Sequence, residues 1–204
     1  MFFPSLNIDV FSHAELFWHL LVNPTGPIVE TVTLPPVIAA PDQGTKSLFA
    51  LIIGINEYDG DSMYGCIEDA TDMRNYLLQY LKVPDSHIRF LTNTNAMRAD
   101  IINAFLEIQT DKRIKKSDPI LIFFAGHGNE TDAPTGWPSG DVSDQIQMII
   151  PQDYSTDPAR QVHGIPDHSL AALLNGIANE HGDNITVIFD CCHSGSGTRG
   201  GRKV

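Results

Sequence analysis

ITVIFDCCHSGSG, residues 185–197, opens as a short apolar run and passes without a break into a carboxylate, two thiols, an imidazole and glycines alternating with hydroxyls. Ile185, Val187, Ile188 and Phe189 are β-branched or aromatic, and a run this short with that makeup reads as a strand. Two similar runs precede it, LFALIIGI (48–55) and ILIFFAG (120–126). Such near-continuous apolar runs mark strands covered on both faces, hence parallel and central in a sheet. HIRFLTN (87–93) alternates only in part and predicts a fourth, weaker strand.

Helical periodicity fills the intervals. Ile67, Ala70, Met73, Leu77 and Leu81 share one face, as do Ile101, Phe105 and Ile108, and then Leu170, Leu173, Leu174 and Ile177. Alternating strands and helices predict an α/β fold: right-handed crossovers and a mostly parallel sheet with helices on both sides. NETDAPTGWPSGDVSDQ (129–145) reads as a long polar surface loop. Residues 23–46 hold five prolines among turn formers, so residues 1–46 are expected to form an N-terminal extension and connector, and 47–204 the compact domain.

The chain carries 25 acidic against 13 basic residues, a formal charge of −12. That balance argues against nucleic acid or an anionic membrane surface as a partner, since both need a basic footprint. The first 21 residues lack a basic start and a continuous apolar core, and they include Asp9, His13 and Glu15, so they do not read as a signal peptide. Nor does any run approach the eighteen or so apolar residues that cross a bilayer. Three cysteines, two of them adjacent, suit no disulfide framework and point to a reducing, cytoplasmic setting.

Ligands of open α/β sheets bind beyond the carboxyl ends of the strands. The three strong strands run into NEYDG, GHGNE and DCCHSG, which gathers His127, Cys192 and several acids at one edge. A thiol beside an imidazole suits acyl transfer: the thiolate attacks while the imidazole relays a proton to the leaving amine. Gly126 and Gly128 are expected to allow unusual backbone angles around His127. The amides of Gly128 and Cys192 are candidate oxyanion donors.

Taken one at a time, these residues have plainer readings. Cys66 and Cys191 can be small buried hydrophobes, Asp69 can stabilise a helix N-terminus, and His163, His168 and His181 can be surface or capping residues. Zinc binding by Cys191, Cys192 and His193 fails because adjacent ligands fit a tetrahedron badly. GSGTRGGRKV lacks the order of a phosphate loop, and the absence of a phosphate-cradling glycine loop after the first strand weighs against a nucleotide-binding flavodoxin-like domain. Ser194 cannot be a serine-hydrolase nucleophile, because position 192 is not glycine.

FFAGHGNE (123–130) and FDCCHSGSG (189–197) resemble the histidine and cysteine motifs of the metacaspases, a branch of the caspase-like cysteine peptidases. ALIIGINEY (50–58), YGCIEDA (64–70) and MIIPQDY (148–154) extend the resemblance over roughly residues 47–198. It implies a caspase-like three-layer αβα sandwich and a cysteine endopeptidase, with roles in apoptosis-like cell death. Cys192 then stands as nucleophile and His127 as its partner, while Cys191 fills a position where the family often has serine. Asp69 and Asp190, with Cys66 beside Asp69, match positions lining an acidic pocket for arginine or lysine, so the implied partner is a peptide or protein with a basic residue at the cleavage site.

Some positions depart from the family pattern. Ala125 replaces the usual serine before Gly-His-Gly. Where metacaspase calcium sites have adjacent aspartates and a later acid, this chain has Pro166, Asp167 and Arg199, so no metal or other cofactor is expected. Because the sequence stops at Val204, the C-terminal small-subunit strands are expected to be absent. Strand 185–190 would then be a bare edge that a small-subunit segment could complete. The rival reading is a non-catalytic interaction module that uses this edge.

Overall fold

A computed structural model describes the backbone of residues 8–12 together with residues 47–132 and 145–191. Its main sheet has five parallel strands: β1 (Ile8–Ser12), β2 (Phe49–Gly54), β5 (Ile88–Thr92), β6 (Ile120–Ala125) and β10 (Ile185–Asp190), in the order β1-β10-β6-β2-β5. The helices are α1 (Cys66–Gln79), α2 (Arg98–Thr110) and α3 (Asp167–His181).

Alternation within the strands builds three layers. Leu51, Ile53, Ile122, Phe124 and Val187 pack on one side with Ile101, Phe105 and Ile108 of α2 and Leu170, Leu174 and Ile177 of α3. Ala50, Ile52, Leu121, Phe123 and Ala125 pack on the other with Cys66, Ala70 and Leu77 of α1. Every residue of β2 and β6 is buried, as their sequences predict. In β10 only Ile185, Val187 and Phe189 are buried, while Thr186, Ile188 and Asp190 are partly exposed. The difference follows from position, because α1 covers β2 and β6 rather than β10.

Two expectations change. The outer edge of β10 is not bare, because Ile8–Ser12 pairs with it in parallel from Ile8 opposite Ile185 to Ser12 opposite Phe189. The polar stretch 129–145 is not simply a loop. It begins and ends in β7 (Gly128–Asp132) and β8 (Gln145–Ile149), which pair antiparallel and continue to β9 (Ile165–Pro166). Residues 133–144 of that stretch lie outside the described residues. Of the two readings open for His181, surface or capping, the structure takes the second: it is 5% exposed, and its Nε2 lies 2.9 Å from Ile108 O and 3.0 Å from Gln109 O at the end of α2. It caps another helix from within the core. His163 is exposed, and His168 is partly so.

Candidate active site

The site grows from one row of the sheet. Gly54, Ala125 and Asp190, the last residues of β2, β6 and β10, stand in register. Beyond them the backbones stay joined: Ile55 N–H donates to Ala125 O at 3.0 Å and Gly126 N–H to Asp190 O at 3.2 Å. The segments carrying Tyr58, His127 and Cys191 therefore leave the sheet side by side. Cys192 is the next residue, and it lies outside the described residues with His193, Ser194 and Arg199. Cys191 is partly buried and packs against the larger core, as expected of a small apolar group.

His127 is partly buried and held on several sides. Its ring lies against Tyr58, with centroids 4.7 Å apart and planes 54° apart. Its Nε2 is buried and 3.3 Å from Asp61 Oδ2, although no described residue gives that nitrogen an aligned hydrogen bond. Its main-chain N–H donates to Tyr58 Oη at 2.9 Å, and its carbonyl accepts from Ile150 N–H at 3.0 Å. Tyr58 and Asp61 face each other across a small hairpin of β3 (Glu57–Tyr58) and β4 (Asp61–Ser62), which turns at Gly60 with φ 81°. Burial pushes the Tyr58 hydroxyl well above its usual range, against the lowering effect of the His127 N–H, and the nearby Cys66 and Cys191 thiols raise it further.

Gly128 follows His127 as the first residue of β7. Neither Gly126 nor Gly128 has a positive φ, so the expected unusual backbone angles are not why glycines stand here. At Gly126 the reason is room. A Cβ there would lie 2.6 Å from Tyr58 Oη and 2.9 Å from Phe124 Cζ.

The acidic wall forms at the start of α1. Gly65 precedes the helix with φ 96° and offers no side-chain cap. Asn56, from the loop after β2, supplies one: its Oδ1 accepts Ile67 N–H at 3.1 Å, while its Nδ2 donates to Glu68 Oε2 at 3.3 Å. Glu68 and Asp69 occupy the first turn, where the helix dipole favours acids. Cys66 is buried and its thiol is pushed up to about 11, by burial first, then by the carboxylates of Asp190 and Asp69. Cys66, Asp69 and Asp190 are thus electrostatic neighbours, and Cys66 is a protonated, unreactive thiol.

Asn56, Tyr58 and Asp61 are the site residues that pattern reading missed. Their signal was the dense polar run NEYDGD directly after a buried strand. The same run is anchored by Asn93, whose Oδ1 accepts Asn56 N–H at 3.0 Å and Glu57 N–H at 3.2 Å.

The described residues do not fit a calcium site. Pro166 has no carboxylate, and Asp167 Oδ1 accepts His168 N–H at 2.7 Å and lies 2.8 Å from its Nδ1. No group of three or more acidic, histidine or cysteine side chains suited to a metal occurs among the described residues. No described helix is long and apolar enough to cross a membrane.

Comparison with known proteins identifies the family. The chain is 29% identical over 160 residues to Metacaspase-1A of Aspergillus oryzae, an alignment covering 75% of this chain and 35% of that protein. It is 32% identical over 155 residues to Metacaspase-1B of the same fungus, covering 72% and 34%, and 28% identical over 185 residues to Metacaspase-1 of Saccharomyces cerevisiae, covering 82% and 40%. The chain therefore spans between about a third and two fifths of the length of these relatives. A crystal structure of a Geobacter sulfurreducens protein shares the fold with a TM-score of 0.51 at 22% identity, covering 73% of this chain and 52% of the other. The family model described as metacaspase, peptidase C14 domain, matches residues 49–198, and the chain belongs to that family.

Proposed function

We propose that this chain carries the catalytic dyad of a cysteine endopeptidase that cleaves after arginine and, less well, after lysine. Support comes from one observation above all, the backbone bond from Gly126 N–H to Asp190 O. It ties the residue before His127 to the residue two before Cys192, so the segment bearing the imidazole and the segment running on to the thiol leave neighbouring strands.

In this mechanism the Cys192 Sγ–H proton passes to His127, and the thiolate attacks the scissile carbonyl carbon. The oxyanion is held by the amides of Gly128 and Cys192. Collapse breaks the C–N bond as His127 returns its proton to the departing amine, leaving a thioester on Cys192. Water then attacks the thioester, with His127 taking its proton, and the acid product leaves as the thiol is restored. Asp61 Oδ2 stands 3.3 Å from Nε2 on the hairpin side of the ring and, at 72% exposed, remains in contact with solvent.

Asp69 and Asp190 are assigned to the pocket. Two carboxylates drawn out of water together are costly unless a cation lies between them. A guanidinium spans both with planar donors, while an ammonium offers only a point charge. Calcium plays no part, given Pro166 and Arg199. A small-subunit segment is the proposed further partner, and the cytoplasm the proposed location.

Labelling with an arginyl peptide acyloxymethyl ketone, read by mass spectrometry, tests the assignment. The label is expected on Cys192, abolished in Cys192→Ala and retained in Cys191→Ala. Equal loss in the two variants would overturn the choice of nucleophile. An aspartyl reagent that labels as well as the arginyl one would overturn the pocket.

A further inference from the structure

The β7–β8 ladder does not end where its strand labels do. Gly128 stands opposite Ile149, so the next antiparallel pair outward is His127 with Ile150. Ile150 N–H does donate to His127 O at 3.0 Å. In an antiparallel ladder, a pair joined by one such bond exchanges the reciprocal one as well. Here the reciprocal bond is replaced: His127 N–H donates to Tyr58 Oη at 2.9 Å, and Tyr58 O–H donates to Ile150 O at 3.4 Å. A phenol from another hairpin stands inside the ladder, and all four main-chain groups of the pair join one circuit through it.

We propose that Tyr58 is the positioning residue of His127, its inserted hydroxyl holding the pair open at the point where the histidine leaves the main sheet. This rests on the reading of His127 as the proton carrier. Three independent contacts converge on it. The hydroxyl fixes the His127 main chain, and the Tyr58 ring lies against the imidazole at 4.7 Å. Gly126 leaves the space the hydroxyl needs, since a Cβ would stand 2.6 Å from it. The glycine before the histidine is then explained by a tyrosine 68 positions away in sequence, as 126 − 58 = 68. Asp61, three residues after Tyr58 and paired with it across the same hairpin turn, lies 3.3 Å from Nε2, so one hairpin addresses both the main chain and the ring.

The test uses the full chain as wild type, Tyr58→Phe, Gly126→Ala and the double variant. Phenylalanine keeps the ring and removes only the bridge. The His127 amide is expected to exchange faster with solvent in Tyr58→Phe, and its imidazole resonances to shift. Labelling by the arginyl ketone should slow by roughly tenfold to a hundredfold, the scale on which misplaced catalytic groups lose rate, with reagent affinity little changed. Gly126→Ala should reproduce these effects and add less in the Tyr58→Phe background than in wild type, because the two changes remove the same contact. Unchanged His127 amide exchange and ring signals in a folded Tyr58→Phe protein would overturn the proposal, as would an unchanged labelling rate or full additivity of the two variants. If wild type takes no label, the peptidase reading fails by itself, and the His127 signals still decide whether Tyr58 sets the histidine.

Discussion

Cys66 sits behind Asp69 and Asp190 at 5% exposure, with its thiol raised from an ordinary 9.0 to about 11 by burial and then by those carboxylates. The folded chain therefore keeps a proton that the unfolded chain gives up as pH rises past 9.0. Stability from this group is complete below the unfolded value and declines as pH climbs through about 11. Tyr58 is shifted in the same direction by burial and adds to the decline. Urea unfolding across the alkaline range should show stability falling, and Cys66→Ala should flatten the fall even though it lowers the starting value. An equally steep fall in the variant would show that this thiol is not its source. At neutral pH, Cys66 should resist alkylation in the folded protein.

At the scale of the element, α1 is held by close approach rather than by its own capping residues. A Cβ on Gly54 would stand 2.7 Å from both Ala70 Cβ and Cys66 O, with Ile67 Cα at 3.1 Å. The helix rests directly on the end of β2, and Asn56, two residues on, bonds its first turn. Gly54→Ala is expected to destabilise by about 1–3 kcal/mol, the usual cost of overpacking a full core. Because backbone rather than a flexible side-chain tip must give way, α1 should also shift and carry Asp69 away from Asp190. Urea unfolding measures the first effect. Weaker labelling by the arginyl reagent, with aspartyl reagents still excluded, would report the second. A variant as stable as wild type would mean the helix can shift freely.

For the whole molecule, the informative strand is β1, because it closes the β10 edge that lies farthest from β5. An uncovered parallel edge presents unpaired amides and carbonyls to other chains. Deleting residues 1–12 should therefore leave β10 amides poorly protected from hydrogen exchange and promote self-association at rising concentration. Sedimentation and exchange measured together check this. A deletion variant that stays monomeric with β10 protection intact would show that β1 contributes nothing to the edge. Since β10 leads directly to Cys191 and Cys192, loosened pairing should also slow labelling at the site.

The parts of the molecule legible in the sequence are those whose signal is local. The apolar runs at 48–55, 120–126 and 185–190 and the faces through Leu77, Phe105 and Leu174 repeat with the period of the structure that buries them. Strand order then brings the polar segments after Gly54, Ala125 and Asp190 to one edge, which is why His127 and the acidic wall could be anticipated. The pairing of Ile8–Ser12 with β10 depends on register between segments more than 170 residues apart in sequence, and no short pattern encodes it. Asn56 as a cap and Tyr58 as a ladder insertion depend in the same way on backbone groups that only folding brings near. An unpaired N–H or C=O is satisfied by whichever side chain arrives in the right place, so Ile67 N–H and His127 N–H acquire their partners in three dimensions and leave no periodicity behind.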